Sequence, residues 1–146
     1  MRHHLILRVV TKLLVGTIIL FALYVQFHGD FSPGGGFQAG VIFAVAFILY
    51  GIVFGLESVQ AVFPFWFVQR LMALGVLLYA GTGVASLLLG YDYLDYVAFT
   101  PDHPSHGQHW GIYIVELGVG ITVTGVMIAV YYAFASRRPR ISDWNW

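Results

Sequence analysis

Few residues in this chain are equipped for chemistry, and they stand out because almost everything around them is apolar. Glu116 is the one charged residue in the apolar run from Trp110 to Ala135. A carboxylate placed about six residues, or roughly 9 Å, inside a membrane-spanning helix is costly and ordinarily faces a polar interior or a partner. Burial would raise its pKa and suit it to carrying protons; ionised, it would meet a cation. Asp30 lies in a glycine-rich break, His28-Gly29-Asp30-Phe31-Ser32-Pro33-Gly34-Gly35-Gly36-Phe37-Gln38-Ala39-Gly40, between two apolar runs. Lys12 and Arg8 are four residues apart and share a helix face. Snorkelling to the cytoplasmic surface is their default role, and an intramembrane ion partner in another subunit is the alternative. His103, His106 and His109 recur at intervals of three, a spacing that makes zinc thinkable if the segment is helical. Pro104 and Gly107 weaken that geometry, so the reading is a solvated loop.

The glycine-rich break invites two readings. Gly34-x-Gly36-x-x-Ala39 has the outline of a dinucleotide fingerprint, but that fingerprint needs a preceding strand and a βαβ unit, and here apolar helices flank it on both sides. The alternative is a helix entrance. Ser32 suits a cap and Pro33 the first helical position, while Gly34, Gly35 and Gly36 permit tight backbone geometry. The segment is then either a simple tight hairpin or, with Phe37 and Gly40, a backbone-lined surface against a partner subunit or a hydrated ion path.

The elements that position these groups follow from composition. Of the 146 residues 59% are hydrophobic and only 10% charged. A soluble domain carries about a quarter charged residues, so an integral membrane protein is indicated. Zero net charge gives no electrostatic case for nucleic acid, and the absence of cysteine excludes disulfides, thiolate metal sites and cysteine nucleophiles. No nucleophile–base–acid set, P-loop or cofactor motif is readable, so the chain is not expected to be an enzyme or to hold a cofactor.

Four apolar segments, at about residues 5–27, 37–56, 65–90 and 110–135, are long enough to cross a bilayer as helices. Together they make one all-α integral membrane domain over residues 1–146, with connections at 28–36 and 91–109. The first segment follows a basic start, but no small-x-small cleavage site succeeds it, so it reads as a retained span. Arg2, Arg8, Lys12, Arg70, Arg137, Arg138 and Arg140 all fall on one side of such a bundle, and the other two connections contain no Lys or Arg. The positive-inside rule therefore predicts both termini in the cytoplasm and both of those connections outside. Tyr91, Tyr93, Tyr96 and Trp110 flank the acidic, histidine-rich 91–109 connection as interfacial aromatics do. Small-xxx-small pairs at Gly36/Gly40, Gly51/Gly55, Gly107/Gly111, Gly118/Thr122 and Gly120/Thr124 predict close helix packing, within the chain or onto other subunits.

The run His28-Gly29-Asp30-x-x-Pro33-Gly34-Gly35-Gly36-Phe37-x-x-Gly40 after an apolar span resembles the MnhB/MrpB family. Gly111-Ile112-Tyr113-Ile114-Val115-Glu116-Leu117-Gly118-Val119-Gly120 is similar to that family's last helix with its acidic residue. Length and four-span pattern agree, so the resemblance covers nearly the whole chain. It implies the B subunit of an Mrp-type antiporter, which exchanges cytoplasmic Na+ for external H+ in a bacterial or archaeal cell membrane and supports pH homeostasis. Its partners would be the other antiporter subunits. The resemblance extends to modules of membrane-bound hydrogenases, which keeps an equivalent subunit of such a complex as an alternative. Glu116, Asp30 and Lys12 are then candidates for the ion path, and Pro33, Gly34, Gly35, Gly36, Phe37 and Gly40 for partner packing. Two further possibilities are a purely structural subunit and a standalone transporter.

Overall fold

A computed structural model describes residues 5–29 and 34–137. The described chain is helical, with no strand. Helix α1 spans Leu5–Phe27, α2 Gly36–Phe54, α3 Leu56–Val62, α4 Phe65–Leu88 and α5 Pro104–Ala135, and a single 3-10 turn, Tyr96–Phe99, precedes α5. Helices α1, α2, α4 and α5, of 23, 19, 24 and 32 residues, are long and apolar enough to cross a membrane.

Two boundaries differ from the apolar pattern. Helix α5 begins at Pro104 rather than near Trp110. Proline there occupies the first turn, where its missing N–H breaks no helical hydrogen bond, so it starts the helix instead of disrupting it. At 1.5 Å per residue α5 is about 48 Å long, which exceeds the ~30 Å hydrocarbon core, and its first turns are the polar ones. Helix α2 stops at Phe54 because Gly55 takes φ +101°, a conformation that side-chain-bearing residues rarely adopt. The chain then turns into α3, and the Tyr132 hydroxyl donates to the Phe63 carbonyl just beyond it at 2.7 Å. Val59 of α3 is buried with Ala44, Val68, Ile128 and Tyr132 in the apolar cluster at that end.

The long helices form a row in the order α1–α2–α5–α4, each packed mainly on its neighbours in the row. Glycines set the closest approaches. Gly36 lies against the Glu116 backbone, and a Cβ added at Gly40 would stand 2.5 Å from the Gly120 carbonyl oxygen. The pairs 36–116 and 40–120 advance together, so α2 and α5 run parallel. The Thr124 hydroxyl closes the crossing one turn further on, donating to the carbonyls of Gly40 at 3.1 Å and Gly120 at 2.8 Å. On the next face of α5, Gly118 and Thr122 meet Gly75 of α4, and Gly125 meets Met72. Gly107 and Gly111 accept Tyr96. These small-residue faces are therefore used within the chain. Gly51 packs on Tyr131, but its expected companion Gly55 has nothing within 4 Å and serves as the helix terminator.

Inside the spans, glycine is indispensable where backbones meet. Gly40→Ala is expected to lower stability by about 1–3 kcal/mol through overpacking. Gly81→Ala, on the open face of α4 with nothing within 4 Å, should instead be neutral or stabilising by up to about 1 kcal/mol, the helix-propensity gain. Thermal unfolding of the purified variants in detergent measures both.

Candidate functional site

The parallel crossing of α2 and α5 brings the glycine-rich break onto Glu116. The carboxylate lies between Gly29, just past the end of α1, and Gly35, just before α2. A Cβ added at either glycine would overlap a carboxylate oxygen and stand 2.9 Å from Glu116 Cδ. Gly36 sits so close to the Glu116 carbonyl that no side chain fits there. Gly29 and Gly35 thus form a cradle whose walls are bare backbone around a half-buried carboxylate, and Gly36 seats the backbone of the residue that carries it. Gly34 is a step outside, where a Cβ would meet Gln38 Oε1 and stand 3.4 Å from Val25.

The cradle opens into a vestibule of about 290 Å³ lined by Gln26, Phe27, Gly29, His109, Trp110, Tyr113 and Glu116. Tyr113 and His109 stand three and seven residues before Glu116, so the three share one face of α5. Aromatic rings frame the vestibule: Phe27 stacks on Tyr113 at 6.1 Å between centroids, and Trp110 meets Tyr113 edge-on at 6.2 Å. A carboxylate set between two glycines, in a vestibule framed by aromatic rings, can bind a monovalent cation or exchange a proton.

The candidates named from sequence divide into groups. Glu116, Gly35 and Gly36 come together directly, and Gly40 supports them one turn below. Phe37 points away from the cradle and is 65% exposed, on a face open to lipid or another subunit. Lys12 is at the far end of α1: its Nζ lies 5.8 Å from the Phe54 ring centroid, beside Arg8 at 5.2 Å from the same ring. Gln26 stands fourteen positions beyond Lys12, about 21 Å of helix, so Lys12 does not belong to the Glu116 vestibule. Asp30 and Pro33 lie outside the described residues.

The histidines separate as well. His103 and His106 have ring centroids 5.8 Å apart, while His109 lines the vestibule. No group of three metal-ligating side chains converges among the described residues. Nearby, outside the spans, burial pushes the Tyr96 phenol above its ordinary pKa, with smaller contributions from Tyr79 and Tyr93. It stays neutral as the pad beneath Gly107 and Gly111.

Sequence reasoning missed the contributions of Gln26, Tyr113 and His109. The two α5 residues were recoverable from helical periodicity through Glu116. Gln26 carried a weaker signal, an amide in the last turn of the first span, and only the packing of α1 on α2 shows what it faces.

A family model described as a domain related to the MnhB subunit of Na+/H+ antiporter matches residues 6–129. Among curated proteins, "Putative antiporter subunit mnhB2" of Staphylococcus aureus strains Newman, JH1 and COL is 37% identical over 138 residues, covering 93% of this chain and 97% of each relative. The match spans α1 through most of α5, including both halves of the cradle. The hydrogenase-module alternative gains no support from these similarities. By its fold and by this end-to-end similarity, the chain belongs to the MnhB family of Na+/H+ antiporter subunits.

Proposed function

We propose that this chain is a small, multi-pass subunit of a multisubunit monovalent cation (Na+)/proton antiporter in a bacterial or archaeal cell membrane, and that Glu116 lines its cation path. The enclosure of the Glu116 carboxylate between Gly29 and Gly35, with Gly36 against the backbone of the same residue, carries this reading. An acidic group kept only for helix packing has no need of a glycine on each side and a vestibule in front. In its cradle the carboxylate attracts a cation to a partly dehydrated position, where the low surrounding polarity strengthens the attraction. Protonation would release the cation, which is the competition that antiport requires. One carboxylate in one small chain does not complete an exchange cycle. The partner subunits of the antiporter supply the remaining proton and cation steps, and transport is not expected from this chain alone.

Glu116→Gln should leave the complex assembled on native gels and reduce Na+/H+ exchange in membrane vesicles by about tenfold or more, since it removes the charge and keeps the shape. Undiminished exchange would leave the chain a purely structural subunit.

Gly35→Ala and Gly36→Ala should behave differently. At Gly35 the added methyl meets the movable end of Glu116, so exchange falls and assembly survives. At Gly36 it meets α5 backbone, so the protein itself fails to accumulate. Native gels and vesicle exchange, compared for the two variants, read this out.

The distribution of basic residues supports cytoplasmic termini, which places the vestibule at the outer face. A protease added to inverted vesicles should then remove tags from both ends of the chain, and the same protease added to intact spheroplasts should remove neither.

A further inference from the structure

Gln26 is 93% enclosed in the last turn of α1, and its Nε2 is buried with no hydrogen-bond partner among the described residues. Buried amides are nearly always paired, and an orphan calls for an explanation. A leucine of similar size would fill the space without that cost. The surroundings indicate the reason for the amide. Among the described residues, Gln26 alone lines both the Glu116 vestibule and a second cavity of about 290 Å³ beneath it. The second cavity is walled by apolar side chains such as Leu23, Phe43, Phe67 and Ile121. Its one hydroxyl, on Thr124, is committed to the carbonyls of Gly40 and Gly120. A cavity of that kind stays dry, so a cation does not continue into it. Gln26 is therefore the floor of the vestibule.

We propose that Gln26 is a second ligand for the monovalent cation received by Glu116, presented by a turn of its amide. This inference rests on the reading of Glu116 as part of the cation path. The amide Oε1 lies on the Gly120 side, 2.7 Å from where a Cβ at Gly120 would stand, and the Gly36 carbonyl oxygen is 3.1 Å from the same point. The absence of a side chain at Gly120 leaves the amide room to move. The terminal torsion of glutamine is broad and two-fold, so a half-turn is cheap. It carries the N–H2 to the side of the Gly36 carbonyl, an acceptor, and swings Oε1 toward the vestibule and Glu116. The orphan donor is relieved, and a neutral oxygen joins the carboxylate. A hard monovalent cation prefers such oxygen ligands.

The test uses the assembled antiporter in membrane vesicles, measuring exchange against Na+ concentration. Gln26→Leu should assemble normally and raise the apparent KM for Na+ about tenfold, with the maximal rate within about twofold of the parent. Gln26→Glu, which keeps the oxygen, should hold KM at or below the parent value. An unchanged KM in Gln26→Leu overturns the proposal, as does an equal rise in both variants. Should Gln26→Leu not assemble, the unbranched Gln26→Met carries the same expectation, and failure of all three to assemble would make Gln26 a packing residue and overturn it. Glu116→Gln is run in parallel. Normal exchange there removes the cation-path reading itself, whereas impaired exchange there with an unaltered Gln26→Leu removes only the role of Gln26.

Discussion

The backbone-on-backbone crossing of α2 and α5 is the constraint on which the rest of the structure depends. Two parallel helices approach so closely at Gly36–Glu116 and Gly40–Gly120 that neither glycine position has room for a methyl group. In a membrane there is little hydrophobic drive for helices to associate, and close van der Waals packing with interhelical hydrogen bonds takes its place. The Thr124 hydroxyl supplies such a bond across the crossing, to the Gly40 carbonyl. Because the contact is backbone to backbone it has little play. Whatever α5 carries at position 116 is therefore held in a defined relation to the chain entering α2.

The vestibule is a consequence of that crossing. Bringing Gly36 onto Glu116 necessarily brings Gly35 and the end of α1 with it, since few residues separate α1 from α2. The opposite face of α5 is occupied by α4 through Gly75, Gly118 and Thr122. Helix α1 packs on α2 and hardly touches α5, and the gap it leaves is where both cavities lie. The same arrangement leaves much of α1 exposed, with Leu5, Ile6, Leu13 and Leu20 each more than 70% accessible. An apolar exterior of this kind is stable in a bilayer and would not be in water.

Most of the architecture was legible in the chain. Apolar run length determined four spanning helices, and the spacing of small residues announced close crossings. Both readings rest on local physics, namely bilayer thickness and the absence of a side chain. The boundaries were less legible. In sequence Pro104 reads as a breaker, because its role depends on whether a helix starts there or is interrupted there. Gly51/Gly55 fitted a packing motif, yet Gly55 ends α2, since periodicity cannot distinguish a packing glycine from one with positive φ.

By itself the sequence determined that this is a membrane protein, that Glu116 is the one acid in its last apolar run, and that the glycine-rich break and that acid belong to one family pattern. Composition and motif are properties of single segments, so a single segment suffices to reveal them. Only the tertiary structure decided which segments meet. It joined Gly29 and Gly35 to the carboxylate, and Gly36 to the backbone, of a residue 80 or more positions away, set Lys12 at the other end of the bundle, and brought Gln26 to the floor of the vestibule. Helix pairing depends on how small-residue faces on different spans fit together across a gap of about one side chain, and that fit is not written in any one span.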